Sequence, residues 1–211
     1  PANARMLHVF SDAGFPVTTT LAGGIVRVEM PLRFDEEFRL AVDAREARAD
    51  ARSLRRVLAP SSVAVVGAGS DPAGLGHQVL ANIVRGGYRG SLYAVNRSGH
   101  RVVGVRAFTD LAAIPGEVDV VVVAVPSSGA LDVAREAAAL GAAGLVVITA
   151  GFAEAGAAGR REQAELVRIC RDAGIRLIGP NCMGIANAAG DVSLNATFCP
   201  ATPPPGGIGL M

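Results

Sequence analysis

The chain has 211 residues, half of them apolar and only 4% aromatic, with a formal charge of +1. That length buries one good core and a smaller appendage, and the balanced charge offers no basic excess to nucleic acid or an anionic membrane, which leaves a small molecule as the expected partner. Cys170, Cys182 and Cys199 are an odd set without C-x-x-C spacing, against both a disulfide framework and a zinc site and in keeping with a reducing cytoplasm.

No apolar run approaches the roughly 20 residues of a membrane helix. Pro1-Ala2-Asn3 carries neither an initiator Met nor a signal-peptide pattern, so the numbering is expected to begin inside a larger protein. Residues 4–13 form an amphipathic stretch with Met6, Leu7, Val9 and Phe10 apolar, closed by Gly14 as a C-cap. Residues 24–30 alternate as a half-buried strand. Residues 35–56 mix acids and arginines at helical spacing without Gly or Pro, the pattern of a solvated connecting helix. The expected division is therefore a small α+β fragment over 1–34, a linker helix over 35–59 and a main domain over 60–211.

From Ser62 onward short β-branched runs alternate with alanine-rich helical stretches. Strands are predicted at 62–66, 91–95, 118–125, 144–148 and 175–178, and helices at 75–84, 130–140 and 160–172. Strands that are apolar throughout imply a sheet covered on both faces, and their alternation with helices implies parallel, right-handed crossovers. The predicted fold is a doubly wound α/β domain with a parallel sheet. Residues 202–206 are a Pro/Gly loop, and 206–211 read as a turn entering a further strand, with a catalytic half expected beyond it.

The segment from Val65 to His77 falls between the first strand of this domain and its helix. Gly67 and Gly69, followed by Ser70, Asp71 and Pro72, make a candidate phosphate loop, in which glycines let backbone N–H groups approach an anion near the positive end of a helix. The alternative is a tight strand-to-helix turn without a ligand. Two extra residues before Gly74 depart from G-x-G-x-x-G, and Leu75 stands where a Walker A motif requires Lys. The second strand ends in Asn96-Arg97 rather than an acid, which suits a ribose carrying a phosphate, as in NADP or the 3′-phospho-ADP end of coenzyme A; a solvated Arg is the plainer reading. Pro126-Ser127 and Thr149-Ala150-Gly151 lie at carboxyl ends of strands, where open α/β sheets bind ligands, although Ser127 also suits a helix N-cap. Asn181, in a Gly/Pro-framed turn, either braces its loop or touches a ligand. His8, His77 and His100 have no nucleophile nearby in sequence, Cys182 reads as buried filler, and Glu154 stands near the mouth of the crevice where it could accept a proton. No residue is assigned a catalytic or metal-binding role.

Taken in order, Leu58-Ala59-Pro60-Ser61-Ser62-Val63-Ala64-Val65-Val66-Gly67-Ala68, the loop from Ser70 to Gly76, Tyr93-Ala94-Val95-Asn96, Ala124-Val125-Pro126, Ile148-Thr149-Ala150-Gly151-Phe152 and Gly179-Pro180-Asn181-Cys182-Met183-Gly184 resemble the Rossmann-like CoA-binding domain of NDP-forming (ADP-forming) acyl-CoA synthetases, relatives of the succinyl-CoA synthetase α subunit. The resemblance covers residues 54–211. It implies that coenzyme A or acetyl-CoA contacts Gly69–Pro72 and Thr149–Gly151, with a basic contact at Arg97 or Arg101. It also implies that the phosphorylated His lies in a following domain, so this fragment alone would not make acyl-CoA.

Residues 1–32 resemble the C-terminal end of a GCN5-related N-acetyltransferase domain. The two pieces together resemble a bacterial protein lysine acetyltransferase fused to a synthetase-like region, which implies a regulatory module that senses a CoA thioester and partners the acetyltransferase and later synthetase-like domains of the same parent chain. The alternative is the CoA-binding part of an active ADP-forming acyl-CoA synthetase, and a third option is an NADP-dependent oxidoreductase.

Overall fold

In the computed structural model the described residues are 17–30 and 36–201, with Met6, Val9, Pro204 and Gly206 besides. The chain divides into two compact units, Pro1–Arg52 and Ser53–Met211. The amphipathic stretch expected at 4–13, its Gly14 cap and the strand expected at 206–211 lie outside the described residues.

In the first unit, β1 (Thr18–Ala22) pairs antiparallel with β2 (Ile25–Glu29). Gly23 and Gly24, both at positive φ (59° and 79°), make the two-residue turn whose twist matches a hairpin. The expected strand at 24–30 is β2, with Val26 and Val28 half-buried and its other residues exposed. Helix α1 (Glu36–Leu58) ends on Arg55 and Arg56, cations suited to a helix C-terminus, and its last turn belongs to the second unit through Val57, which is fully buried.

The second unit is built on β3 (Ser62–Val66), α2 (Leu75–Gly86), β4 (Ser91–Val95), β5 (Ala107–Phe108), β6 (Val120–Val123), α3 (Ser127–Ala139), β7 (Gly144–Val147), α4 (Ala157–Asp172) and β8 (Arg176–Ile178). The strands form one parallel sheet in the order β5-β4-β3-β6-β7-β8. Counted from β3, that is the 3-2-1-4-5-6 order of doubly wound nucleotide-binding sheets, and the order reverses between β3 and β6.

Both faces are covered, which explains the unbroken apolar strands. Ala64, Val66, Val121 and Val123 pack under α3 and α4 with Ala130, Ala134, Leu166 and Ile169. Val63, Val65, Val120 and Val122 pack on the other side with Val79, Leu80 and Ile83 of α2. That second face is completed by an antiparallel hairpin, β9 (Gly184–Asn187) with β10 (Leu194–Thr197), through Ile185, Leu194 and Ala196. Asn82, buried on α2, fastens the hairpin by donating from Nδ2 to the carbonyls of Thr197 and Cys199, each at 2.9 Å. Among the described residues no helix is long and apolar enough to cross a membrane.

Candidate functional site

The turn from β3 into α2 leaves the sheet where the strand order reverses, beside β6. Gly67 has φ +91° and donates its N–H to the Val95 carbonyl at 2.9 Å; a side chain there would strike the Ala124 backbone. Farther along, Asp71 Oδ1 accepts from the Ala73 N–H at 3.0 Å, and the Asp71 carbonyl accepts from the Gly74 N–H at 3.0 Å. Gly74 is the N-cap position of α2 and brings no side-chain cap. Two side chains from outside the loop hold its carbonyls. Asn96 Nδ2 lies 3.0 Å from the Ala68 oxygen, and His77 Nδ1 lies 2.9 Å from the Gly69 oxygen. The N–H groups of Ala68, Gly69, Ser70 and Asp71 meet no protein acceptor among the described residues. Space beside Gly69 is open, with nothing within 4 Å of where a Cβ would stand, while Ser70, Asp71 and Pro72 are exposed. Such a run of unpaired amides at a helix start suits a diphosphate.

The other loops at this end of the sheet are tied to one another. Thr149 Oγ1 stands 2.5 Å from the Val125 carbonyl oxygen and 3.4 Å from that of Val123, and the Asn181 N–H donates to the Thr149 carbonyl at 3.1 Å. Ser127 is not the cap of α3. Pro126 occupies the N-cap position without a side-chain hydrogen bond, because the helix begins one residue earlier than a Ser127 cap would place it. Ser127 instead faces Gly151, where an added Cβ would come within 2.9 Å of its Oγ. Ala150 and the Asn181 side chain are exposed, and that side chain makes no hydrogen bond among the described residues. Asn181 therefore braces its loop through the backbone only.

Glu154 serves its own turn. Its Oε1 accepts from the N–H groups of Gly151 at 2.6 Å and Phe152 at 3.2 Å, and these bonds, Gly151's first, hold its carboxyl below the usual carboxylate range. An ionised, doubly bonded carboxylate is a poor proton acceptor, which corrects the role expected for it.

Asn96 also departs from expectation. Its Oδ1 accepts from Ser98 N–H at 3.1 Å and Ser98 Oγ at 2.8 Å, while Nδ2 serves the carbonyls of Ala68 and His100, so no part of the amide is left to read a ribose. Arg97 is exposed with no partner among the described residues, and Arg101 Nη1 donates to the Gly104 carbonyl at 3.1 Å. Burial pushes the Cys182 thiol up, and its Sγ rests 3.4 Å from the Val147 oxygen, in keeping with filler. His100 is exposed in a loop, and His8 lies outside the described residues.

A cavity of about 960 Å³ opens at the other end of the sheet, lined by Ser62, Ser91, Arg56 and Asp119 among others. Its Asp119 is spent on structure, taking Arg56 at 2.6 Å and the Ser61 N–H at 2.8 Å. Next to the phosphate loop a groove of about 390 Å³ runs between Pro72, His77 and Arg85 on one side and Phe198 and Pro200 on the other. Reading the sequence gave no sign of it, because the hairpin that closes it was not expected.

A family profile described as a CoA binding domain matches residues 61–188, from just before β3 through β9. The chain belongs to that family. Its cofactor is coenzyme A, and the open glycine turn at the strand-order reversal fits the diphosphate of that molecule. The chain is 44% identical over 140 residues to the α subunit of an ADP-forming acetate–CoA ligase II from Pyrococcus furiosus, covering 66% of this chain and 30% of the relative. It is 34% identical over 162 residues to a trans-feruloyl-CoA synthase from an unknown prokaryotic organism, covering 77% and 23%. Among solved structures it matches an acetyl-coenzyme A synthetase of Candidatus Korarchaeum cryptofilum, described as dinucleotide forming and in complex with phosphate and ADP, with TM-score 0.66, 38% identity, and coverage of 70% and 31%. The chain thus spans less than a third of the length of each of these relatives.

Proposed function

We propose that this chain is the coenzyme A-binding domain of an ADP-forming acyl-CoA synthetase, with the diphosphate on the Gly67–Pro72 loop and the rest of the ligand passing Pro126–Ser127 and Thr149–Gly151 toward Asn181. The observation that carries the proposal is the row of loop amides from Ala68 to Asp71 without protein acceptors, at the sheet's reversal point and inside the matched segment. Bound coenzyme A supplies the thiol to which an acyl group is joined. The protein's contribution in this domain is to hold and orient that ligand; activation of the acyl group falls to other parts of the parent protein. Arg97, exposed and next in sequence to the Asn96 that holds the loop, or Arg101 is the cation proposed for the 3′-phosphate. Three free thiols suit a reducing, cytoplasmic setting.

A second reading, a CoA-thioester sensor fused to a lysine acetyltransferase, draws its support from the resemblance of residues 1–32, a segment that lies before the matched residues 61–188. Assaying the full parent protein for ATP-dependent acyl-CoA formation with release of ADP separates the two: turnover supports the synthetase, and inertness with retained CoA binding supports the sensor.

The site itself is tested by calorimetric titration of coenzyme A, acetyl-CoA and NADPH into the wild type and Gly69→Val. The space around Gly69 lets the valine variant fold while its side chain blocks approach to the amides. Coenzyme A is expected to bind the wild type and not the variant, with NADPH silent. Equal binding to both proteins, or preference for NADPH, overturns the proposal.

A further inference from the structure

We infer that His77 and Asn96 are positioning residues that aim the amides of the phosphate loop at the coenzyme A diphosphate, an inference that rests on the placement of the diphosphate proposed above. In a trans peptide the C=O of one residue and the N–H of the next point in opposite directions across a rigid plane. Fixing a carbonyl therefore fixes the following amide. Asn96 Nδ2 holds the Ala68 oxygen, so the Gly69 N–H points away from Asn96; His77 Nδ1 holds the Gly69 oxygen, so the Ser70 N–H points away from His77.

Neither clamp can reverse its polarity. A carbonyl only accepts, so Nδ1 of His77 carries the proton, and the ring is held from the first turn of α2. Asn96 is oriented by Ser98, whose N–H and hydroxyl both lie on Oδ1 and leave Nδ2 for the loop. Without the clamps, the peptide on either side of Gly69 is free to turn, since the glycine has no Cβ to oppose it and open space lies around it. A turned peptide presents a carbonyl oxygen to an anion instead of an N–H. The clamps thus act on affinity by arranging the loop before the ligand arrives.

The test is calorimetric titration of coenzyme A into the wild type, His77→Leu, His77→Asn and Asn96→Ala, with Gly69→Val alongside and ¹⁵N–¹H spectra of the Gly69 and Ser70 amides. His77→Leu and Asn96→Ala are each expected to weaken binding about tenfold, and His77→Asn, whose amide nitrogen reaches where Nδ1 stood, to return to within about threefold of wild type. The Gly69 and Ser70 amide shifts on adding coenzyme A should shrink in the two weakened variants while thermal midpoints stay near wild type. If Gly69→Val loses binding but His77→Leu and Asn96→Ala bind as the wild type does, the positioning role is wrong and the site stands. If binding falls in step with the thermal midpoint and His77→Asn restores neither, the two side chains are merely structural and the inference fails. If Gly69→Val binds normally, the placement of the diphosphate fails, and this inference with it.

Discussion

Gly76, on the first turn of α2, lies against the carbonyl of Gly67 so closely that a methyl group in place of its hydrogen would overlap that carbonyl and the Ala68 nitrogen. The start of the helix is thereby pressed onto the turn whose amides meet no protein acceptor among the described residues. Backbone cannot yield as a side-chain tip can, so Gly76→Ala is expected to destabilise the protein by about 2 kcal/mol or more, the cost of overpacking a tight contact. Gly69→Ala, with open space around it, should change stability little. Chemical denaturation of the two variants checks the contrast, and equal stabilities would mean that helix and loop are not in contact.

Tyr88 gives the fold an alkaline limit. Its hydroxyl donates to the Pro60 carbonyl at 2.8 Å, and burial, followed by the charge of Asp119, pushes the phenol up from 10.0 to about 12. The folded state keeps a proton that the unfolded chain gives up first, so the contribution is complete below the ordinary tyrosine value and drains away as pH rises toward about 12. Denaturation midpoints measured across that window should fall for the wild type, and the fall should flatten in Tyr88→Phe. A wild-type midpoint that stays level would remove the buried phenol as the cause.

The strands β3, β4, β6, β7 and β8 were legible because each packs on both faces, and that demand writes an apolar run into the sequence. Strand β5 has two residues and no pattern to read; Phe108 holds it by an edge-to-face contact with Tyr93, ring centroids 5.8 Å apart, a relation between positions distant in sequence. The β9–β10 hairpin, GIAN against LNAT, lacks the β-branched runs that announce a strand and is fastened instead by a polar residue on a helix, Asn82. At the site the glycine turn announced itself by composition. The partners of Asn96, Thr149 and Glu154 did not, because an amide, a hydroxyl or a carboxylate at a strand end serves a ligand or the backbone equally well, and only the spatial neighbours decide.

Asp119 ties the end of α1 to the sheet. Its carboxylate is 12% exposed and takes both Arg56, at 2.6 Å, and the Ser61 N–H, at 2.8 Å, whereas the Arg56 side chain is 55% exposed. Water screens the arginine, so the ion pair contributes less than the orphaned backbone donor costs. Asp119→Ala is expected to lose about 2 kcal/mol, Arg56→Ala about 1 kcal/mol or less, and Asp119→Asn, which keeps an acceptor for Ser61, to fall between them. Urea denaturation of the three variants measures the order, and a larger loss from Arg56→Ala than from Asp119→Ala would assign the tie to charge instead.

Thr149 joins three loops at the carboxyl end of the sheet, its hydroxyl on the Val125 carbonyl and its own carbonyl on the Asn181 N–H. Thr149→Val keeps the shape and the β-branch but leaves the Val125 oxygen without its donor, so stability should drop by about 1 kcal/mol. Because the β6–α3 and β7–α4 loops are then free to part, coenzyme A affinity should drop as well, in a protein whose glycine turn is untouched. Thr149→Ser keeps the hydroxyl and should bind like the wild type. Calorimetry on the pair separates the hydroxyl's hydrogen bond from the methyl's packing: if Thr149→Val binds coenzyme A with wild-type affinity while losing stability, the tie serves the fold alone and the ligand does not reach the β7–α4 loop.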